Sequence, residues 1–211
     1  MNSFDYFQIA SVAITVLIFV GRVAYLRLGK NINPIAIGGG KRGLLLVVEL
    51  IAFAGLVAWM FEVLSYALHF RFRLFPSALD AQLIDSLPAK IIGVALVTLG
   101  VIIFALAFVS FGDSWRVGLD VKTPGTLVTT GIFAVSRNPI YVFLDMWFIG
   151  IFLINGTLIF LVFAGLAVAI LHWQILQEER CLLKLYGQPY QDYRSRTGRY
   201  VVRWSKFRPQ R

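Results

Sequence analysis

Runs of about 20 apolar residues recur along this chain, and no other feature restricts its fold as tightly. In lipid, each backbone N–H and C=O must be paired within its own segment. A run of that length therefore becomes a helix that crosses the bilayer. Five segments qualify or nearly do: 7–28, 44–68, 91–111, 139–154 and 157–175. The fourth is short. Asn155-Gly156 divides it from the fifth, and that pair is a turn signal, so the last two segments read as a tight helical hairpin. Of the 211 residues, 58% are hydrophobic and 15% charged, against roughly 25% charged in a soluble domain. Such a chain is too apolar to be disordered and too small to hide its apolar surface in a water-soluble core. The expected fold is all-α: a polytopic membrane protein with about five transmembrane helices and a cytoplasmic C-terminal helical segment. It forms one membrane domain over 1–211, with three N-terminal spans in 1–111, a distinct region in 112–201 and a basic tail in 202–211.

The positive charges orient that domain. Lys and Arg collect on the cytoplasmic side of a membrane. The start of the chain carries Asp5 and no Lys or Arg before the first span, which is unlike a cleavable signal peptide. Arg22, Arg27, Lys30, Lys41 and Arg42 follow that span. The N-terminus is therefore expected outside and the first loop inside. The loop holding Arg71, Arg73, Asp80 and Asp85 carries no net charge and falls outside. The stretch 112–138 then lies inside, the Asn155-Gly156 turn outside, and everything from Gln177 onward inside. From Glu178 to the end there are nine Lys and Arg against three acids, most of the chain's net charge of +9. Anchoring at the membrane and attraction to anionic lipid head groups account for this charge, and no nucleic-acid partner is expected. The single cysteine, Cys181, excludes an internal disulfide. The two histidines, His69 and His172, are too far apart in the chain for a His/Cys zinc site, and no metal is expected.

Several motifs fail on inspection. Gly38-Gly39-Gly40-Lys41 suggests a phosphate loop, but Ile35 and Arg42 stand where that motif needs Gly and Ser or Thr. No G-x-G-x-x-G follows a strand, no G-x-S-x-G elbow occurs, and no internal repeat marks an inverted-repeat transporter.

Two segments carry chemistry. In the first, Leu127 to Tyr141, Pro139 suits the first turn of a helix, where its missing N–H costs nothing. Arg137 and Asn138 then sit beside the free backbone donors of that helix end, which attracts anions. Tyr141 and Asp145 share one face. In the second, Gln177 to Arg199, helix five continues to Tyr186. Gly187 ends it, and Pro189 starts the next helix. Glu179, Leu182, Leu183 and Tyr186 lie on one face, Tyr190 and Tyr193 repeat the spacing, and Thr197-Gly198 turns Arg199 back toward the membrane. A carboxylate pair, an arginine pair and several aromatics thus meet at one cytoplasmic rim, a set suited to a zwitterionic, partly aromatic ligand.

The pattern Arg137-Asn138-Pro139-x-Tyr141, then Glu178-Glu179, then Tyr186-Gly187-x-x-Tyr190-x-x-Tyr193 and Arg199 resembles the integral-membrane methyltransferases. These include the isoprenylcysteine carboxyl methyltransferases and the phospholipid methyltransferases. The resemblance runs from about residue 111 to 201, and 112–118 resembles bacterial members. It implies a cofactor-binding methyltransferase region over 112–201, with S-adenosylmethionine at the cytoplasmic rim and a lipophilic substrate arriving from the bilayer. Gly131, Ile132 and Phe133 would line the cofactor beside Arg137, Asn138 and Tyr141. Glu178 and Glu179 would meet its amine or ribose hydroxyls, while Tyr186, Tyr190, Tyr193 and Arg199 would close the pocket. Asn138 stands where the isoprenylcysteine enzymes carry His, so the resemblance there is to phospholipid and bacterial members.

Methyl transfer from a sulfonium is an in-line displacement whose activated group the cofactor brings. A carboxylate acceptor needs no base, whereas an amine or phenol does. Arg199 and Asp145 are the candidate catalytic residues, Arg199 to orient an anionic group and Asp145 to face the substrate head group or take a proton. Acids at membrane depth are costly and often functional. Glu49 and Glu62 also fall within a predicted span and read as structural. Two other readings remain open: a membrane sterol or steroid reductase using NADPH, whose C-terminal region is similar, and a non-catalytic lipid-binding protein.

Overall fold

A computed structural model describes residues 1–31, 44–112 and 126–201. The glycine stretch at 38–41, nearly all of the 112–118 resemblance, the side chain of Glu49 and the basic tail 202–211 lie outside the described residues.

The described chain is α-helical. Helix α1, Ser3–Ala24, runs on into a π-helical turn, Tyr25–Gly29, and is followed by α2, Leu44–Ala67, and α3, Leu87–Phe111. A short 3-10 turn at Gly131–Ala134 leads into α4, Pro139–Asn155, then α5, Leu158–Tyr186, and α6, Gln188–Arg196. Local chemistry fixes the starts. Asn2 caps α1 by accepting from the N–H groups of Phe4 and Asp5, and Asp5 Oδ2 accepts from Asn2 N at 2.6 Å, a reciprocal capping box. Ser86 caps α3, and prolines stand in the first turns of α3, α4 and α6.

Among the described residues, four helical stretches are long and apolar enough to cross a membrane: Ser3–Gly29, Leu46–Ala67, Leu87–Phe111 and Leu158–Tyr186. Helix α4 has 17 residues, which is about 25 Å of rise against a hydrocarbon core of about 30 Å. Among the described residues, four helices thus reach spanning length, and the fourth of the five apolar segments forms a shorter apolar helix. Helix α3 starts four residues before the predicted span because its Ser86 cap and Pro88 precede the purely apolar run.

The burial pattern is that of a protein in lipid. On α1, Asp5, Gln8, Ser11 and Thr15 are buried, while Leu17 and Val20 are exposed. A helix that turns polar groups inward and aliphatic ones outward matches an apolar solvent. The chain is an integral membrane protein. Packing centres on α3 and α4. A Cβ on Gly93 would stand 2.6 Å from the carbonyl oxygen of Gly150, and one on Gly150 would stand 2.6 Å from Val97 Cγ2. Two helix backbones can come this close only through small residues, and in lipid such packing, not apolar burial, drives helix association. Around this contact lie Trp59, Phe104, Phe143 and Trp147. The Trp59 and Trp147 rings meet edge-on at 4.9 Å, and Phe104 stacks on Phe143 at 4.3 Å.

Contacts between distant segments sort the connections into two ends. At one end, Asp5 Oδ2 meets His69 Nε2 at 3.0 Å, and Asn155 Nδ2 donates to Gln8 Oε1 at 2.6 Å. There, Gly156 O accepts from the N–H groups of Leu83 and Ile84. At the other end, Arg22 donates to the carbonyl of Gly112, close to where the 3-10 turn, the start of α4 and α6 converge.

Candidate functional site at the rim of α4, α5 and α6

Helix α5 has 29 residues, roughly 44 Å at 1.5 Å per residue, so it outruns the bilayer and carries Glu178 and Glu179 to the rim. Adjacent helical positions point about 100° apart, and the two acids have different surroundings. Glu179 is buried between two arginines. Its Oε1 accepts from Arg137 Nη2 at 2.7 Å and Nε at 3.2 Å, and from Arg199 Nε at 3.2 Å; its Oε2 accepts from Arg199 Nη2 at 2.9 Å. Asn138 Nδ2 adds a 3.4 Å contact. The Arg137 and Glu179 side chains are only 7% and 5% exposed, and Arg199 remains 30% exposed. A carboxylate with four lone-pair positions is close to saturated here. The hydrogen bonds and charge of Glu179 push the Arg199 guanidinium above its ordinary pKa, so it stays charged.

The same arginine fastens the end of α6. Arg137 Nη1 donates to the carbonyls of Thr197 at 2.5 Å and Arg194 at 3.1 Å, and Arg137 N donates to Gly198 O at 3.0 Å. Ser136 Oγ and Asn138 Nδ2 both reach Arg199 O at 3.2 Å. The Thr197-Gly198 turn is thus held on the start of α4, and Arg199 is aimed back at Glu179. Beneath it, Tyr190 and Tyr193 are buried, with their rings edge-on at 6.1 Å. Tyr193 donates to Phe133 O at 2.7 Å. Burial pushes the Tyr190 phenol up to about 12 and raises that of Tyr193, so both stay neutral donors.

Glu178 faces α4. Its Oε1 accepts from Tyr141 OH at 2.6 Å and from Gln174 Nε2 at 3.5 Å. Asp145 lies one turn beyond Tyr141 on α4, with a buried Oδ1 that has no hydrogen-bond partner among the described residues. An open cleft of about 190 Å³ is lined by Leu176, Glu179, Arg180, Leu183, Arg194 and Arg199. Three guanidiniums against one carboxylate make it an anion-attracting surface. It is smaller than the roughly 300–1,000 Å³ of a full ligand site and suits one charged end of a ligand.

The predicted site residues thus separate into three groups. Arg137, Asn138, Glu179 and Arg199 form one bonded cluster, with Tyr190 and Tyr193 under it. Tyr141 and Glu178 form a second pair, with Asp145 deeper on the same helix. Gly131, Ile132 and Phe133 stand apart from the cleft: Ile132 N donates to Ser110 Oγ at 3.2 Å, and the Phe133 ring meets Phe111 at 4.5 Å, tying the 3-10 turn to the end of α3. Tyr186 lies at the last turn of α5. Ser136 and Thr197 also hold the Arg137–Glu179–Arg199 cluster together, and no spacing signal in the sequence singles them out.

Among the described residues, no group of three or more His, Cys, Asp or Glu could hold a metal ion. The family model of the phospholipid methyltransferases matches residues 88–189, just under half of the chain. That range covers α3, α4, α5 and the start of α6, and so holds Arg137, Asn138, Tyr141, Glu178 and Glu179. The resemblance to an integral-membrane methyltransferase family is thereby supported over this range, and methyl transfer is the activity the match indicates. No curated protein matches the chain.

Proposed function

We propose that the chain is an S-adenosylmethionine-dependent methyltransferase that acts at the membrane on a lipophilic acceptor entering from the bilayer. The observation that carries this reading is a coincidence of place. The family match at 88–189 covers Arg137 and Glu179, which the fold brings from separate helices into one ion pair, and Arg199, ten residues beyond the match, joins them.

The donor set fits such a cofactor. Its amino-acid end is zwitterionic, and the cleft beside Glu179 offers Arg180, Arg194 and Arg199 to a carboxylate. Glu178, already accepting from Tyr141, is the carboxylate on the α4 side for an amine or ribose hydroxyls. The bound cofactor supplies a methyl group activated as a sulfonium, open to in-line attack. The residues of the chain hold and exclude. Glu179 neutralises the two arginines and so locks the turn after α6 onto α4. Arg199 thereby keeps one exposed guanidinium edge at the rim. Tyr190, Tyr193 and Phe133 keep water from the underside. Tyr141 and Asp145 lie one turn apart on α4, running from the rim toward the apolar region, and in this reading an acceptor whose tail stays in lipid approaches along them. Holding the two reactants in line supplies most of the rate enhancement such a site can give.

In the same reading, α4 is a fifth crossing and forms a hairpin with α5, the N-terminus lies outside, and the C-terminus is cytoplasmic. The basic residues from Arg194 onward then lie against anionic lipid head groups.

The test is calorimetric binding to detergent-purified protein of S-adenosylhomocysteine and, separately, NADPH. Micromolar binding of the first alone, weakened at least tenfold by Glu178→Ala, is expected. Binding of NADPH alone would move the protein to the reductases. Binding of neither by folded protein would leave a lipid-binding role.

A further inference from the structure

The segment after α2 lies far from the rim, and it does not leave the bundle where α2 ends at Ala67. Phe70 N donates back to Ser65 O at 2.9 Å, Arg73 Nη1 donates to the same carbonyl at 2.6 Å, and Leu74 N donates to Glu62 Oε2 at 3.2 Å. The Phe72 ring meets that of Phe61, with centroids 6.0 Å apart. Further on, the Phe75 ring meets Phe163 of α5 edge-on at 5.3 Å. Glu62 stands five residues before the end of α2, and Phe163 five residues after the start of α5. Each is therefore about 7 Å inside its helix end. The apolar stretch of α2, Leu46–Ala67, has 22 residues, about 33 Å of rise against a hydrocarbon core of about 30 Å. Residues 70–75 thus run back below the level where α2 leaves the hydrocarbon, and they reach from α2 to α5.

Irregular backbone at membrane depth must find its hydrogen-bond partners within the protein. Glu62, fully buried, supplies one of them, which accounts for an acid in this span. The side chains divide as in an extended chain, where neighbours alternate sides. Phe70, Phe72 and Leu74 are 48%, 64% and 45% exposed. Arg73 turns the other way, its guanidinium 4.2 Å from the centre of the Tyr66 ring, and Phe75 packs on α5. Arg71 is exposed and pairs with no acid among the described residues.

We propose that 70–75 is a membrane-embedded strip that holds a phospholipid of the leaflet on the Gly156 side, with an acyl chain along Phe70, Phe72 and Leu74 and the phosphate on Arg71. Three large apolar side chains exposed side by side mark a surface that something apolar covers, and at this depth the acyl chains of the bilayer do so. An arginine beside them keeps its stem in the apolar layer and lifts its guanidinium to the head groups. There its planar fork matches phosphate oxygens two at a time. The strip lies at the end of the bundle opposite the Arg137–Glu179–Arg199 cluster, so its role is independent of the methyltransferase reading.

Full-length Cys181→Ser, Phe72→Cys protein carrying a bimane fluorophore at position 72 tests this. In phosphatidylcholine nanodiscs, phospholipid with a nitroxide on its acyl chain should quench the bimane, and aqueous iodide should not. The same label on Leu83→Cys should respond to iodide. On Val57→Cys, at a position 52% exposed on α2, it should respond to the lipid nitroxide. Iodide quenching at position 72 as strong as at position 83 would overturn the proposal, because the strip would then lie in water. Absence of lipid quenching would overturn it too, because a second copy of the chain, or the protein itself, would then cover the strip. In detergent, titration with nitroxide-bearing phosphatidylglycerol reads lipid binding at position 72 itself. Arg71→Gln should weaken that binding about fivefold, the contribution of one arginine near an anionic surface. Binding of a nitroxide diacylglycerol with the same chains should be unchanged. Equal affinity for phosphatidylglycerol in both proteins, or an equal loss for the lipid without phosphate, would overturn the phosphate contact and with it the proposal.

Discussion

Glu179 is a single acid shared by two arginines, and removing it has a larger effect than removing its neighbour. With Arg137 only 7% exposed, Glu179→Ala would leave a guanidinium buried without its counter-charge. Breaking a buried pair from one side costs about 3–5 kcal/mol. The expected result is a large fall in the unfolding midpoint in detergent, with the turn after α6 becoming accessible to protease. Glu178→Gln keeps an acceptor for Tyr141 and exchanges one hydrogen bond for another, so its stability change should stay near about 1 kcal/mol, while cofactor affinity falls. Equal losses of stability in both variants would show that the two acids share one structural job. The position of Glu178 and Glu179 near the cytoplasm-directed end of the long α5 was legible in the sequence. Their division of labour was not, because it depends on which side of α5 each neighbour packs, and adjacent letters carry no sign of that.

Helix ends were written plainly, since Pro139, Gly187 and the Asn155-Gly156 pair act locally. Gly156 sits at φ +67°, and a Cβ on it would collide with the carbonyl of Ile84. Gly156→Ala should therefore cost more than the roughly 1–2 kcal/mol of a left-handed alanine, seen as a lowered thermal midpoint. The α3–α4 contact is tighter still. Gly93→Val would drive its side chain into the Gly150 carbonyl, and overpacking of this kind costs about 1–3 kcal/mol. Because α4 carries Tyr141 and Asp145, displacing it should also weaken S-adenosylhomocysteine binding, although Gly93 is far from the rim. Unchanged affinity in folded Gly93→Val protein would mean that α3 does not set the position of the site helix. The sequence placed these helices but not their partners: a glycine in an apolar run looks the same whether it faces open space, as Gly165 does, or another backbone.

For the molecule as a whole, the open question is whether α4 crosses the bilayer, because the direction of every later segment depends on it. By length it falls short, yet its two ends are held at opposite ends of the bundle. Its C-terminal Gly156 bonds to Leu83 and Ile84, and Leu158 N donates to Ala81 O at 3.0 Å. Its N-terminal Arg137 and Asn138 bond to the turn after α6. A helix of about 25 Å tied in this way must either thin the membrane around it or sit among longer neighbours that shield it from lipid, and its buried Phe143, Trp147, Phe148 and Ile151 favour the second. Cys181 is the only cysteine, so labelling with a membrane-impermeant maleimide is easily read. In sealed vesicles Cys181 should react only from the cytoplasmic face. In a Cys181→Ser background, Leu83→Cys, at a position 48% exposed, should react only from the opposite face. Val135→Cys, just before α4 and 43% exposed, should react from the same face as Cys181. If Val135→Cys instead reacted together with Leu83→Cys, α4 would be a re-entrant segment. Tyr141 and Glu178 could not then meet at one rim as their 2.6 Å hydrogen bond requires, and the site would lose its geometry along with its fifth crossing.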